Sequence, residues 1–383
     1  MSGTPSVTYR APKEEPRSAA AAEPAPPSVV KEERMMKDLP VYPSLEAAVA
    51  GCFGSRVRIV RTVPVTGGDI SDAACVHLSG GARVFVKSNA ARAGERFSAE
   101  AAGLAAIAST GTVGTPRLLC LGVDEEKDRS FLMMEMAGGG KRKRDYWERL
   151  GRELAGLHGA DTAAFLTGGR YGFPRDNFIG SNRQINEAKT SWVEFFRTCR
   201  LEPQFRMALR YFEPGMRPKI RRLLDRLDCL LIEPARPSLL HGDLWSGNVI
   251  QGNDGRAWLI DPAVYVGHSE ADLAMTELFG GFPEPFYRTY REVRPLEDGY
   301  GRRRELYDLY HVLNHLNLFG PAYLAAAVRT VLRYQRGEGR PPNARQTGEN
   351  VVSSEHQKDK EALLCRISTR NSPGPSPLPS GRS

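Results

Sequence analysis

The chain has 383 residues, of which 41% are hydrophobic and 26% charged, a globular balance that excludes a wholly disordered or collagen-like polymer. No run approaches the roughly 18 to 20 consecutive apolar residues of a membrane-spanning helix, so no membrane partner is expected. The 53 Lys and Arg residues outnumber 45 Asp and Glu by +8, which points to anionic partners once the excess is located along the chain.

Residues 1–40 are rich in Pro, Ala and Glu, as in Pro24-Ala25-Pro26-Pro27, and up to Asp38 hold six basic and six acidic residues. They lack the apolar periodicity that offsets ordering entropy and are expected to form a disordered extension. The segment has no apolar stretch for secretion, and its five Glu residues fit poorly with an acid-poor transit peptide. A cytoplasmic protein is expected, with organelle import as the alternative. Residues 337–383 also read as disordered, with seven basic and five acidic residues and the run Pro373-Gly374-Pro375-Ser376-Pro377. The remaining +6 lies between the tails. Six cysteines are scattered with no C-x-x-C pair, which suggests reduced thiols rather than a zinc site or a disulfide framework.

Residues 41–137 open with strand signals. Val57, Ile59 and Val63 alternate with arginines, and Cys75–Leu78 and Arg83–Lys87 flank the hairpin signal Ser79-Gly80-Gly81-Ala82. Between the first two strands, Gly67 and Gly68 permit positive φ and let backbone N–H groups approach a phosphate. Lys87 ends a strand. The helical periodicity of Glu95–Ser109 follows and carries Glu100, so the two can pair as they do in kinase-like lobes, where a strand lysine clamps the ATP phosphates. Ser130–Met136 reads as a buried strand running into Ala137-Gly138-Gly139-Gly140, a hinge at which the backbone of Glu135, Met136 and Ala137 would hold adenine.

Residues 138–336 look mainly helical, with one apolar face formed by Trp147, Leu150, Leu154 and Leu157, and another by Leu306, Leu309, Tyr310, Leu313 and Leu316. A further helix is expected over Pro321–Tyr334. The fold class is therefore α+β and bilobal, with a small antiparallel-sheet lobe and a larger helical one. The sharpest signal is His241-Gly242-Asp243-Leu244-Trp245-Ser246-Gly247-Asn248, followed by the turn Asn253-Asp254-Gly255 and the strand Ala257–Asp261. Asn248 and Asp261 lie nearly equidistant from Asp254, so a hairpin brings both to one end. Phosphoryl transfer from ATP needs an oxygen base at the acceptor hydroxyl and hard oxygen ligands for Mg2+. Asp243 suits the first task, Asn248 and Asp261 the second, and His241 a structural brace of the loop.

These stretches, with Ile260-Asp261-Pro262-Ala263, Gly267–Ala274, Gly172-Phe173, Asp176–Gly180, Trp192–Phe196 and Leu313–Gly320, resemble the fructosamine kinase (ketosamine-3-kinase) family over roughly Leu45 to Tyr334. The resemblance implies a protein-kinase-like fold related to aminoglycoside phosphotransferases. It implies ATP-dependent phosphorylation of the 3-hydroxyl of ketosamines, small molecules or glycated protein lysines, leading to deglycation. It also implies sugar-side contacts from Trp245, from the neighbourhood of His268, Glu270 and Asp272, and from His315. Many eukaryotic relatives in that family carry a cysteine after the Gly-Gly pair, a position proposed for redox-sensitive dimerisation; this chain has Asp69 there, so the resemblance does not carry that switch over.

Other readings share parts of this pattern. A kinase of aminoglycosides or choline would use the same Asp243, Asn248 and Asp261, and a non-catalytic scaffold would keep nucleotide binding alone. The runs Lys141–Arg144 and Arg302–Arg304 are short enough to be solvated faces, so no specific nucleic-acid partner is expected.

Overall fold

A computed structural model describes residues 39–65 and 71–335 of the chain. The expected phosphate-loop glycines Gly67 and Gly68, Asp69, nearly all of both tails, and Cys365 lie outside the described residues.

The first half is built on a six-stranded sheet. Its strands are β1 (Val41–Tyr42), β2 (Ile59–Pro64), β3 (Asp72–Leu78), β4 (Arg83–Ala90), β5 (Leu118–Asp124) and β6 (Arg129–Glu135), in the spatial order β1-β5-β6-β4-β3-β2. The β3–β4 hairpin turns through Gly80 and Gly81, both at positive φ, where the sequence signal placed it. The sheet departs from the antiparallel expectation at one edge, because two-residue β1 joins β5 in parallel. Helix α1 (Leu45–Phe53) packs on the sheet, and residues 43–117 separate the two strands, ample chain for the long crossover that a parallel pair requires.

The run Phe131-Leu132-Met133-Met134 is apolar throughout because both faces of this sheet are covered. Phe131 and Met133 join Val76, Val84 and Val86 on the α1 side. Leu132 and Met134 join Phe97, Ala101 and Leu104 of α2 (Gly94–Ser109) on the other. The two-residue strand period puts Lys87 on the Phe85 face, toward α2.

The second half is mainly helical around one core. Helix α3 (Tyr146–Gly159) buries Leu150, Leu154 and Leu157, and a small hairpin of β7 (Asn177–Ile179) and β8 (Asn182–Gln184) follows. Next come α4 (Trp192–Phe195), a π-helical turn over Phe196–Leu201, α5 (Glu202–Ala208), α6 (Arg217–Leu224) and α7 (Leu227–Leu230). Strands β9 (Ser238–Leu240), β10 (Val249–Gln251), β11 (Ala257–Leu259) and β12 (Tyr265–Gly267) precede α8 (Glu270–Leu278), α9 (Glu284–Val293), α10 (Tyr300–Phe319) and α11 (Leu324–Gln335). Helices α3 and α9 approach backbone to backbone at Gly151, where an added Cβ would lie 2.4 Å from the Phe286 carbonyl oxygen. The apolar stripe of α10 matches expectation, but the helix starts a turn and a half earlier. Its first turns are anchored by a buried charge, Arg303, which apolar periodicity does not register. No helix among the described residues is long and apolar enough to cross a membrane.

Candidate active site

The site is framed by two short β-pairs. Strand β9 pairs antiparallel with β12, and between them β10 pairs with β11 in the register Val249↔Leu259. The loop from His241 to Asn248 leaves β9, and Asp261 follows β11. The hairpin turn at Asn253-Asp254-Gly255 therefore brings Asn248 beside Ile260, whose N–H donates to the Asn248 carbonyl at 3.1 Å. This is the juxtaposition inferred from counting outward from Asp254.

Gly242 makes the loop's reversal. It sits at φ +83°, and a Cβ there would lie 2.0 Å from the Ala263 carbonyl oxygen. His241 is fully buried, and its Nε2–H donates to the Ile260 carbonyl at 2.9 Å while Nδ1 accepts from the Asp243 N–H at 3.3 Å. Burial lowers its pKa and keeps the ring neutral, which suits that one-donor, one-acceptor arrangement. His241 is thus a brace.

Asp243 stands at the mouth of the loop, its side chain 21% exposed. The Asn248 amide donates to its backbone carbonyl at 2.8 Å and to its Oδ2 at 3.3 Å. With Nδ2 engaged, Asn248 has its amide oxygen left for a cation. Asp261 adopts a left-handed φ of 57°, unusual for a residue with a side chain, and its carboxylate accepts from Lys87 Nζ. Lys87 also donates to Glu100 Oε1 at 2.7 Å. Burial alone would lower the Lys87 pKa, but the Asp261 and Glu100 carboxylates outweigh it and hold the ammonium charged far into alkaline pH.

Mg2+ would find hard oxygens at Asn248 and Asp261. No group of three or more His, Cys, Asp or Glu among the described residues could hold a metal unaided. Two protein ligands with the shell completed by phosphate oxygens and water is a habitual magnesium arrangement, so the residues fit that ion.

A model of the fructosamine kinase family matches residues 42–336. The chain belongs to that family. A Synechocystis protein described as a "probable ketoamine kinase" is 42% identical over 288 residues, covering 74% of this chain and 92% of the relative. The Arabidopsis thaliana protein-ribulosamine 3-kinase, described as chloroplastic, is 37% identical over 288 residues, covering 74% and 85%. A crystal structure of a Thermobifida fusca protein provisionally called a fructosamine-3-kinase superposes with a TM-score of 0.64 at 32% identity, covering 76% of this chain and 98% of that one.

In this fructosamine kinase-family chain, the sugar-side expectations divide. Trp245 is half-buried with its ring edge-on to Phe279 at 6.2 Å, and Phe279 lies 4.8 Å from the ring of His315. One aromatic row thus connects the two. His268, Glu270 and Asp272 are instead interior, at 3%, 1% and 1% exposure. His268 lies between Trp192 and Tyr307, and burial pushes its pKa down to about 3. Glu270 takes two hydrogen bonds from Arg303, at 2.7 and 2.6 Å. Asp272 accepts from the N–H groups of His241 at 2.7 Å and Gly242 at 2.8 Å, and from His158 Nε2 at 3.2 Å. Burial would raise the Asp272 pKa, but these bonds hold it below the ordinary value. All three residues sit at or just before the start of α8, and the Asp272 carboxylate braces the loop from behind.

At the hinge, the Glu135 N–H is held by the Arg117 carbonyl at 2.9 Å. The Met136 carbonyl accepts from Asn253 at 2.9 Å, and the Asn253 Oδ1 accepts from the Gly139 N–H at 3.1 Å. The tip of the β10–β11 hairpin therefore grips the segment joining the two halves. Asn253 was visible only as a turn residue. His158 gave no signal beyond its place in the last turn of an amphipathic helix.

Proposed function

We propose that this protein is an ATP- and Mg2+-dependent kinase that phosphorylates the 3-hydroxyl of ketosamines, free or formed on protein lysines, and so opens the way to deglycation. The observation that carries the reading is the meeting of Lys87, Glu100 and Asp261 across the cleft beside the Asp243–Asn248 pair. Lys87 would clamp the α- and β-phosphates, with Gly67 and Gly68 covering them and the backbone of Glu135, Met136 and Ala137 receiving adenine. Asn248 and Asp261 would hold magnesium, which when bound offsets phosphate charge. Asp243 would accept the proton of the acceptor hydroxyl as its oxygen bonds to the γ-phosphorus. The bond from that phosphorus to the β–γ bridging oxygen breaks, and ADP leaves. Ketosamine as the acceptor is supported by relatives named ketoamine and ribulosamine kinases over most of the chain. Trp245 and His315 are read as the sugar-facing wall. The +6 of the central region suits an anionic nucleotide without requiring nucleic acid. The compartment is read as the cytoplasm, where the free thiols of the five described cysteines would stay reduced.

The test is an acceptor panel with ATP: fructosyl-lysine, ribulosyl-lysine, an aminoglycoside and choline. Turnover confined to the ketosamines is expected, and Asp243→Ala should lower it by a factor on the order of 10² to 10⁴ while ATP still binds. Turnover of the aminoglycoside or choline alone would overturn the substrate, and an active Asp243→Ala the assigned base.

A further inference from the structure

The reading above leaves one buried group next to Asp243 unused. His311, on α10, is 3% exposed and packs against the ring of Tyr310. Its Nδ1 is buried with no hydrogen-bond partner. That nitrogen lies 3.8 Å from Asp243 Oδ1, the carboxylate oxygen on the opposite side from the one Asn248 approaches. An unsatisfied nitrogen inside a protein is disfavoured, and such groups tend to mark a contact made in another state. The separation exceeds a hydrogen bond by about 1 Å, a gap that catalytic hydrogen bonds commonly close when substrate binds.

We propose that His311 is a positioning residue for Asp243. With its proton on Nδ1, it closes onto Oδ1 in the loaded enzyme. Asn248 holds Oδ2 from the other side, so the carboxylate plane is fixed and a lone pair is left toward the acceptor hydroxyl. Burial favours the neutral ring and holds its pKa down at about 3, so the contact is an N–H···O bond rather than an ion pair that would tie up the base. Residue 311 would thereby set the aim of the base from a helix that contributes no part of the loop.

The proposal rests on Asp243 being the base, and the test separates the two claims. His311→Asn places an amide nitrogen close to where Nδ1 sits, His311→Gln places it near Nε2, and His311→Leu removes it. In steady-state phosphorylation of fructosyl-lysine, kcat should fall on the order of 10- to 100-fold for Leu and Gln with the KM for ATP unchanged. The Asn variant should stay within about 3-fold of the parent chain, a rescue that a purely packing role would not produce. In an Asp243→Asn background, His311→Leu should cost nothing further. Thermal melts identify a variant that fails to fold, in which case the Asn and Gln pair decides. Parent-like kcat in His311→Leu, equal losses in the Asn and Leu variants, or an undiminished loss in the Asp243→Asn background would overturn the proposal. An active Asp243→Ala would instead overturn the assignment of the base.

Discussion

At the scale of single residues, Lys87 shows how charge placement and packing act together. Its strand face puts it toward α2, and its ammonium contacts Glu100 from that helix and Asp261 from beyond the β10–β11 hairpin. Replacing it with Met keeps most of the buried stem but removes the positive charge facing two carboxylates. Lys87→Met should lower kcat/KM for ATP on the order of 10²-fold or more while the fold persists, measured by coupled ADP release alongside a thermal melt. An unchanged kcat/KM would refute the phosphate-clamp role. Lys87 and Glu100 were legible in the sequence because strand and helix periods specify which face each occupies. Asp272 was not: a buried acid that braces backbone N–H groups is spelled no differently from an acid on a surface helix. Its meaning depends on the loop that folds over it.

At the scale of elements, the site consists of the β10–β11 hairpin with the start of α8 behind it. The hairpin was legible because Asn253-Asp254-Gly255 marks its centre and Gly255 takes the positive φ of 75°. The support from α8 was not legible, since it depends on His158 and on Tyr290, whose hydroxyl meets His158 Nδ1 at 2.8 Å from a separate helix. Asp272→Asn would turn an acceptor of three hydrogen bonds into a group that presents its own N–H toward donors. The variant should lose about 3 kcal/mol of stability in urea unfolding. It should also lose activity, because the backbone before Asp243 is no longer held. A variant as stable as the parent would show that the brace contributes nothing.

At the scale of the whole molecule, the second half buries uncharged histidines. His158, His268 and His311 are at most 3% exposed, and burial lowers the pKa of each, to about 3 for the last two. Their unfolded-state pKa is near 6.5. The unfolded chain therefore binds protons as pH falls below about 6.5 while the folded one does not, so the stability these groups confer is complete above that value and is lost below it. The slope approaches about 1.4 kcal/mol per pH unit for each of His268 and His311. Tm should fall steadily between pH 7 and pH 5, and a flat profile would mean these rings titrate normally in the folded state. The broad architecture was readable because strand alternation, helical stripes and glycine turns all point the same way. The parallel edge formed by β1 was not, since two residues carry no periodicity. The account as a whole comes down to one product. A fructosyl-lysine peptide incubated with ATP and Mg2+ and followed by phosphorus NMR and mass spectrometry should first gain one phosphoryl group on the sugar and then return free lysine. Consumption of ATP with no phosphorylated peptide at any time would contradict it.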